Sequence, residues 1–520
     1  MAGLMLGAGG WVSNLIVYLI QEFNIKTINA AKIYNFVNGT ITIFPIVGAI
    51  LADSFLGCFS VIWFSSLISL LGILLLVLTA AIKHLRPPTS CQINGYSNTC
   101  KYPTQLQLAV LYLGLALASL GNAGTRFTIA PMGADQFHNP KHQGIFFNWY
   151  IFTMYTATVV SSTAIVYIED NVSWVWGFSL CAVANVLGLA VFLSGTRFYR
   201  VVRPQGSPFT SLGRVIVAAI TKRRMSLSEK VEDYYGHDFD EKIGSKNPTP
   251  FFRFLNRAAL RIEAPNDSAW KLCTLQQVED LKTIIKIFPL WTTGLFLCTP
   301  LAIQLSLAIL QALTMDRHLG PVFKIPAGSI PVFILISTSI SIFIIDRLLF
   351  PLYEKLTKRP LTLLQRIGIG HALTVISMGI SAVVEARRLK FVKYKNIENV
   401  VPMSVFWLVL QLAFAGVGEA FHFPGQVAFY YQEFPEKLKS TSTAAVAMFI
   451  GIAFYISNPL IDQIRRASNW LPDDINKGRL DNVYWLCCVL GALNFVYYLF
   501  CASMYKYQNE GKDADACNSS

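Results

Sequence analysis

The stretch Gly48-Ala-Ile-Leu-Ala-Asp53-Ser-Phe-Leu-Gly57 sets one carboxylate between two glycines, where an apolar run near residues 33–53 gives way to another near 60–82. About 20 apolar residues suffice to cross a hydrocarbon core of roughly 30 Å as an α-helix. Between two such helices, glycine permits close backbone approach and positive φ. The Asp53 carboxylate can cap the N-terminus of a neighbouring helix. The stretch therefore reads as a tight interhelical turn, built on Gly48, Asp53 and Gly57, in a chain that enters a membrane.

Outward from this turn the pattern repeats. Apolar runs fall near 3–23, 33–53, 60–82, 106–130, 146–168 and 174–196, and a second set near 284–314, 328–350, 362–386, 403–431, 440–462 and 482–505. Two sets of six predict an all-α membrane protein with twelve transmembrane helices in two six-helix bundles. The expected division is a first bundle over 1–196, a connector over 197–283, a second bundle over 284–508 and a tail over 509–520. Equal halves are the layout of the major facilitator fold, in which solute sits between the halves near the bilayer midplane.

Composition points the same way and excludes other classes. Of 520 residues, 53% are hydrophobic and 14% charged, against about 25% charged in a soluble domain. The net charge of +13 sits mostly beside the apolar runs, which suits lipid headgroups and cytoplasmic flanks rather than nucleic acid. Ten cysteines show no metal-ligand spacing, so neither a metal nor a redox centre is expected. Cys91 and Cys100 bracket a short polar loop, and a disulfide between them requires that loop to be extracytosolic. With no ordered nucleophile, no phosphate-binding loop and no cofactor motif, an enzyme is not expected. The connector contributes amphipathic segments, Ile216 to Arg224 and Phe251-Phe-Arg-Phe-Leu255. They suit a membrane surface or a docking segment for regulatory partners.

Further motifs are more specific. The turn at Gly48 to Gly57 resembles the signature loop of major facilitator transporters, with Cys58 where that loop usually has a basic residue. Gly133-Ala-Asp-Gln-Phe137, Phe146-Phe-Asn-Trp-Tyr150 and Val166-Tyr-Ile-Glu-Asp-Asn-Val172 with Trp174, Trp176 and Gly177 follow in the first half. Trp270-Lys-Leu-Cys-Thr-Leu-Gln-Gln-Val-Glu279, Met315-Asp-Arg317, Pro360-Leu-Thr-Leu-Leu-Gln-Arg-Ile-Gly-Ile-Gly370 and Phe406-Trp407 follow in the second. Over essentially its whole length the chain resembles the plant nitrate and peptide transporter family, the proton-coupled oligopeptide branch of the major facilitators. Gly9-Gly10-Trp11, Asn14-Leu-Ile-Val17 and Thr125-Arg126-Phe127-Thr128 are most similar to its nitrate excretion subgroup.

The resemblance implies a proton-driven site made of a Glu-x-x-Glu-Arg element on the first helix, a lysine on the fourth and a glutamate on the tenth. Here the element's positions hold Met1, Leu4 and Met5, and the lysine position holds Arg126. An arginine carries charge in a different geometry and does not release its proton in a transport cycle. Glu419 holds the acidic position, so Arg126 and Glu419 are the expected pair spanning the halves. Ionisable residues inside a membrane cost at least roughly 2.5–3.5 kcal/mol and normally face a cavity or a partner. A gate that only locks the halves together is the alternative role. Asn148, Tyr155 and Gln304 are expected to help bind solute, and His422, one turn beyond Glu419, to relay protons with it. His371 reads as structural, and the family's nitrate-coordinating histidine position is held by Leu301.

Without the acids of the first helix, Arg126 is the main fixed charge of the first half, which favours an anion over a zwitterionic peptide. The expected function is alternating-access transport of nitrate, or chloride, across the plasma membrane, mainly low-affinity efflux with weak or altered proton coupling. Both termini are expected in the cytoplasm, on the strength of the resemblance. Two readings stay open: a proton symporter of a larger organic solute such as a peptide, glucosinolate or hormone, and a receptor-like paralogue that transports nothing.

Overall fold

The computed structural model describes residues 2–88, 102–126, 128–134, 136–137, 140–200, 208–228, 230, 233–236, 249–261, 270, 272–395, 400–434, 442–505 and 507. Cys91 and Cys100 lie outside the described residues, as do the side chains of Asp53 and Asn148.

The first half comprises α1 (Ala2–Ser13 and Leu15–Gln21), α2 (Thr27–Leu51), α3 (Gly57–Ala81) and α4 (Gln105–Ala134). It continues with α5 (Pro140–Val160, a π-turn Ser161–Ile165, and Val166–Asn171) and α6 (Trp174–Ser194). The second comprises α7 (Leu275–Leu313), α8 (Ala327–Thr357), α9 (Leu363–Lys395), α10 (Trp407–Glu433), α11 (Ser442–Ala467) and α12 (Leu480–Met504). Among the described residues, nine helices are long and apolar enough to cross a membrane, and α1 makes a tenth if its two pieces, bent by 44°, count as one. α5 and α10 reach the length with less apolar sequences. Of the twelve expected spans, ten are thus matched on length and apolarity, while α5 and α10 are helices at the expected places that do not reach that apolarity.

The packing repeats between halves. In the first, α1 packs on α5 and α6, α3 on α4 and α6, and α2 on α4. In the second, α7 packs on α11 and α12, α9 on α10 and α12, and α8 on α10, which is the same set advanced by six helices. Contacts between the halves obey the same relation: α2 meets α11, and α5 meets α8. Two copies of one arrangement packed face to face are what a repeat-built transporter requires.

Small residues let these helices approach, because lipid offers no hydrophobic drive for association and close van der Waals contact must supply it. A Cβ at Gly121 would lie 2.2 Å from the Ser69 backbone nitrogen, so α3 and α4 cross with main chains in contact. α2 and α11 cross similarly at Gly39 and Gly451, where a Cβ on Gly451 would lie 2.9 Å from the Ile43 nitrogen. In the turn between α2 and α3, Gly57 takes φ +76° and Gly48 packs on Gly124 of α4, the two backbone uses expected of these glycines.

α7 begins at Leu275, earlier than the apolar run near 284 suggests, with Thr274 and Gln277 forming a capping box. Its 39 residues span about 58 Å at 1.5 Å per residue, far beyond the hydrocarbon core. The projecting turns carry the connector. Val215 and Ala218 of the helix Pro208–Thr221, with Tyr234, Leu255, Ala258 and Cys273, form a small core against Val278 of α7. The Lys222 ammonium is buried there and donates to the Leu260 carbonyl at 2.7 Å. One side of this helix, with Val215 and Ala218, is therefore packed on α7, while Ile216, Val217 and Ile220 stay exposed. The aromatic segment after Pro250 is a turn leading into the 3₁₀ helix Arg253–Ala259, not an amphipathic α-helix.

Candidate solute site between the bundles

A cavity of about 450 Å³ lies between the halves, lined from α1, α2, α4 and α5 on one side and α7, α8, α10 and α11 on the other. Arg126 and Glu419 both line it, one from each half. Most of the remaining wall is apolar, including Met5, Val12, Leu301, Leu305, Phe423 and Phe454.

Arg126 is placed by its helix and by α5. Thr125 and Thr128 return their hydroxyls to backbone carbonyls one turn back, at 2.9 Å to Asn122 and 2.7 Å to Gly124, so neither competes for solute. The Tyr150 hydroxyl donates to the Arg126 carbonyl at 3.0 Å, tying α5 to this turn of α4. Electrostatically, the guanidinium couples to Tyr150 and Tyr155. Tyr155, an expected solute-binding residue, also couples to Glu419 but is not among the residues that line the cavity. Among the described residues no ion pair joins Arg126 to Glu419, and both line the cavity.

The other expected site residues divide. Leu301, at the position the resemblance assigns to a nitrate-coordinating histidine, does line the cavity. Gln304 does not. Leu301 and Leu305, one turn apart, hold the cavity face of α7, and Gln304 points the other way, donating to Ser377 at 3.0 Å and Ser381 at 2.8 Å on α9. On α10 the cavity face belongs to Glu419 and Phe423. His422 is buried against the His371 ring at 5.1 Å, and His371 in turn stacks on Tyr498 at 4.5 Å. Asn148 lies outside the described side chains. Polar cavity residues that sequence reading passed over are Tyr34, Asn38, Thr42, Asn122, Thr158 and Ser162. Each is a polar group within an apolar run, and that oddity was the available signal.

One end of the interface between halves is sealed. The seal lies at the face carrying the α1–α2, α5–α6, α7–α8 and α11–α12 connections, opposite the connector. Lys26 pairs with Asp473 at 3.1 Å, Lys32 with Asp462 at 2.7 Å and Arg317 with Asp170 at 3.6 Å. Tyr167 stacks on Phe323 at 5.4 Å. Among the described residues every ion pair between halves lies at this face. Within the second half, next to it, Arg388 and Glu385 form a wholly buried pair at 2.7 Å that ties α9 to α7 and to the α11–α12 connection.

Comparison with known proteins agrees with this architecture. The family model described as the POT family matches residues 59–477. Protein NRT1/ PTR FAMILY 2.3 of Arabidopsis thaliana is 51% identical over 98% of this chain and 91% of its own length, and Protein NRT1/ PTR FAMILY 2.7 of the same plant is 52% identical over the same shares. In fold, the chain is similar to the crystal structure of the POT family transporter PepTSo, with a TM-score of 0.72 at 17% identity, covering 98% of this chain and 97% of that one. A two-bundle membrane fold enclosing a charged cavity, a family match over most of the chain and relatives at half identity converge: this chain belongs to the POT family, in its plant NRT1/PTR branch, and is a multi-pass membrane transporter rather than an enzyme.

Proposed function

We propose that the chain transports a small anion, nitrate foremost, by alternating access, with Arg126 as the anion-binding group and Glu419 as its electrostatic counterpart across the cavity. The carrying observation is that an arginine and a glutamate from opposite halves line one cavity without forming an ion pair. A guanidinium offers five donors in a planar fork that matches a planar oxyanion. A neutral donor stands beside it in Asn122, able to replace part of an anion's hydration shell. Glu419 opposes the anion, which keeps binding weak and favours release, as low-affinity efflux requires. Leu4 and Met5 stand where the first helix of proton-driven relatives carries acid and base, so coupling through that element is absent here. The sealed face is read as external, the plasma membrane as the site of action and the connector and both termini as cytoplasmic.

A second reading draws on the same cavity. Its volume of about 450 Å³ far exceeds that of a small ion, and apolar walls between a cation and an anion suit an organic zwitterion. Reconstituted proteoliposomes separate the two. Nitrate flux that falls at least tenfold in Arg126→Gln, with no uptake of dipeptides, supports the anion. Dipeptide uptake driven by a proton gradient, without nitrate flux, defeats it.

A further inference from the structure

The end of α5, Val166–Asn171, packs against α6, α1, its own π-turn and the turn Ala327–Ser329 that opens α8. Glu169 on it is 1% exposed, and neither carboxyl oxygen makes a hydrogen bond among the described residues. Its Cγ lies 2.1 Å from where a Cβ at Gly177 would sit, so only glycine there admits the side chain against the α6 backbone. The carboxyl faces the neutral Asn14 carboxamide at the bend of α1, close enough to interact with it. The Asn14 carboxamide and the Ser329 hydroxyl also make no hydrogen bond.

Few charged or titratable groups face Glu169. α1 contributes Tyr18, whose hydroxyl is bonded to Thr79 at 2.9 Å; α6 contributes the Cys181 thiol; its own helix contributes Asp170. The π-turn Ser161–Ile165 and the turn Ala327–Ser329 contain no titratable side chain. Among the described residues the cations at this corner, Arg317 and Lys324, act on Asp170, and Arg317 is paired with it. Holding a carboxylate ion away from water with one neutral carboxamide and no cation beside it costs several kcal/mol, and a group so placed keeps its proton instead.

We propose that Glu169 is a proton-binding site coupled to the outer gate, protonated while the sealed face is closed and ionised when it opens. Asp170–Arg317 is part of that seal, and Ala327–Ser329 belongs to the other half. Separation of the halves at this face therefore breaks the ion pair and uncovers the neighbouring carboxyl in one motion. On opening, the O–H bond breaks, the proton passes to external water and the carboxylate stays behind, hydrated. Closing reverses each step. The site stands outside the cavity, behind Asn14, whose neighbours Ser13 and Gly328 line the cavity wall. The proposal rests on alternating access by the two halves and is independent of the solute.

The closed state binds one proton more than the open state, so acid favours closure, and the open-to-closed ratio changes by up to about tenfold per pH unit. Spin labels at Val172 and Val322, exposed at the sealed face on opposite halves, report the gap in the full-length protein in lipid nanodiscs. The long-distance population is expected to rise with pH in the parent. In Glu169→Gln, which keeps the shape of the protonated acid, it is expected to stay low at every pH. Infrared spectra of the same samples are expected to show a carboxylic acid band in the parent that Glu169→Gln lacks. A parent gap insensitive to pH, an undiminished pH response in Glu169→Gln, or no Glu169-dependent acid band overturns the proposal. Neither readout uses a solute, so failure of the nitrate reading in a flux assay leaves these results to stand or fall separately.

Discussion

Removal of Arg388 tests how the second half is held together. Its guanidinium donates to Glu385 at 2.8 and 2.7 Å, to Thr314 at 3.0 Å and to Asn476 at 2.5 Å, all at zero exposure of the pair. Arg388→Met keeps the volume and leaves the Glu385 carboxylate with one donor, Gln311 at 2.6 Å. Gln311 in turn accepts from Tyr484 at 3.0 Å and Gln411 at 3.2 Å, so the disturbance spreads to α10 and α12. Breaking a buried pair by removing one partner costs about 3–5 kcal/mol, mostly for the uncompensated charge. Arg388→Met/Glu385→Leu removes both charges and is expected to recover most of that loss, because a buried pair adds little over apolar packing. Denaturant unfolding of the purified protein in detergent measures both. A single variant costing under about 1 kcal/mol, or a double variant less stable than the single one, would refute the reasoning.

Three further outcomes follow from the geometry. Gly121→Val must push α3 from α4, since its Cβ meets the Ser69 nitrogen at 2.2 Å. It is expected to cost about 1–3 kcal/mol in unfolding, whereas Gly213→Ala, with nothing within 4 Å, is expected to gain about 0.5–1 kcal/mol. Thr274→Ala removes the cap of α7 and should cost about 1 kcal/mol locally, read as faster hydrogen exchange in the first turn after Leu275 with no change in the membrane-buried part. Lys32→Ala cuts a half-exposed ion pair with Asp462, worth at most about 1 kcal/mol. The open population of the sealed face should rise by no more than about fivefold in spin-label distances.

Hydropathy located the helices because burial in lipid imposes one rule on every span. All twelve expected runs overlap a helix, and the two largest errors, the start of α7 (275 against 284) and the end of α9 (395 against 386), fall where polar residues extend a helix beyond its apolar run. The paired charges were legible because ionised groups in apolar runs need a reason to be there. Side-chain direction was not. Gln304 and His422 lie within four residues of cavity-lining Leu301, Leu305, Glu419 and Phe423, yet point into the second half. Which face of a helix meets the cavity depends on its rotation against its neighbours, and nearly uniform apolarity on all sides leaves that rotation unwritten. Glu169 went unread as a functional group for a related reason: it stands inside a family-like motif, and only its packing against Gly177 and Asn14 shows a buried carboxyl with no cation beside it.

The central claim is that one arginine in the cavity holds the anion while the opposing carboxylate resists it. Equilibrium binding of nitrate to purified protein, titrated calorimetrically in the parent, Arg126→Gln and Glu419→Gln, addresses it without reference to flux or coupling. Loss of a charge-assisted contact of about 1.5–3 kcal/mol predicts roughly 10- to 150-fold weaker binding in Arg126→Gln, and binding tighter than the parent's in Glu419→Gln. Equal affinity in the parent and Arg126→Gln, or weaker binding in Glu419→Gln, would contradict it.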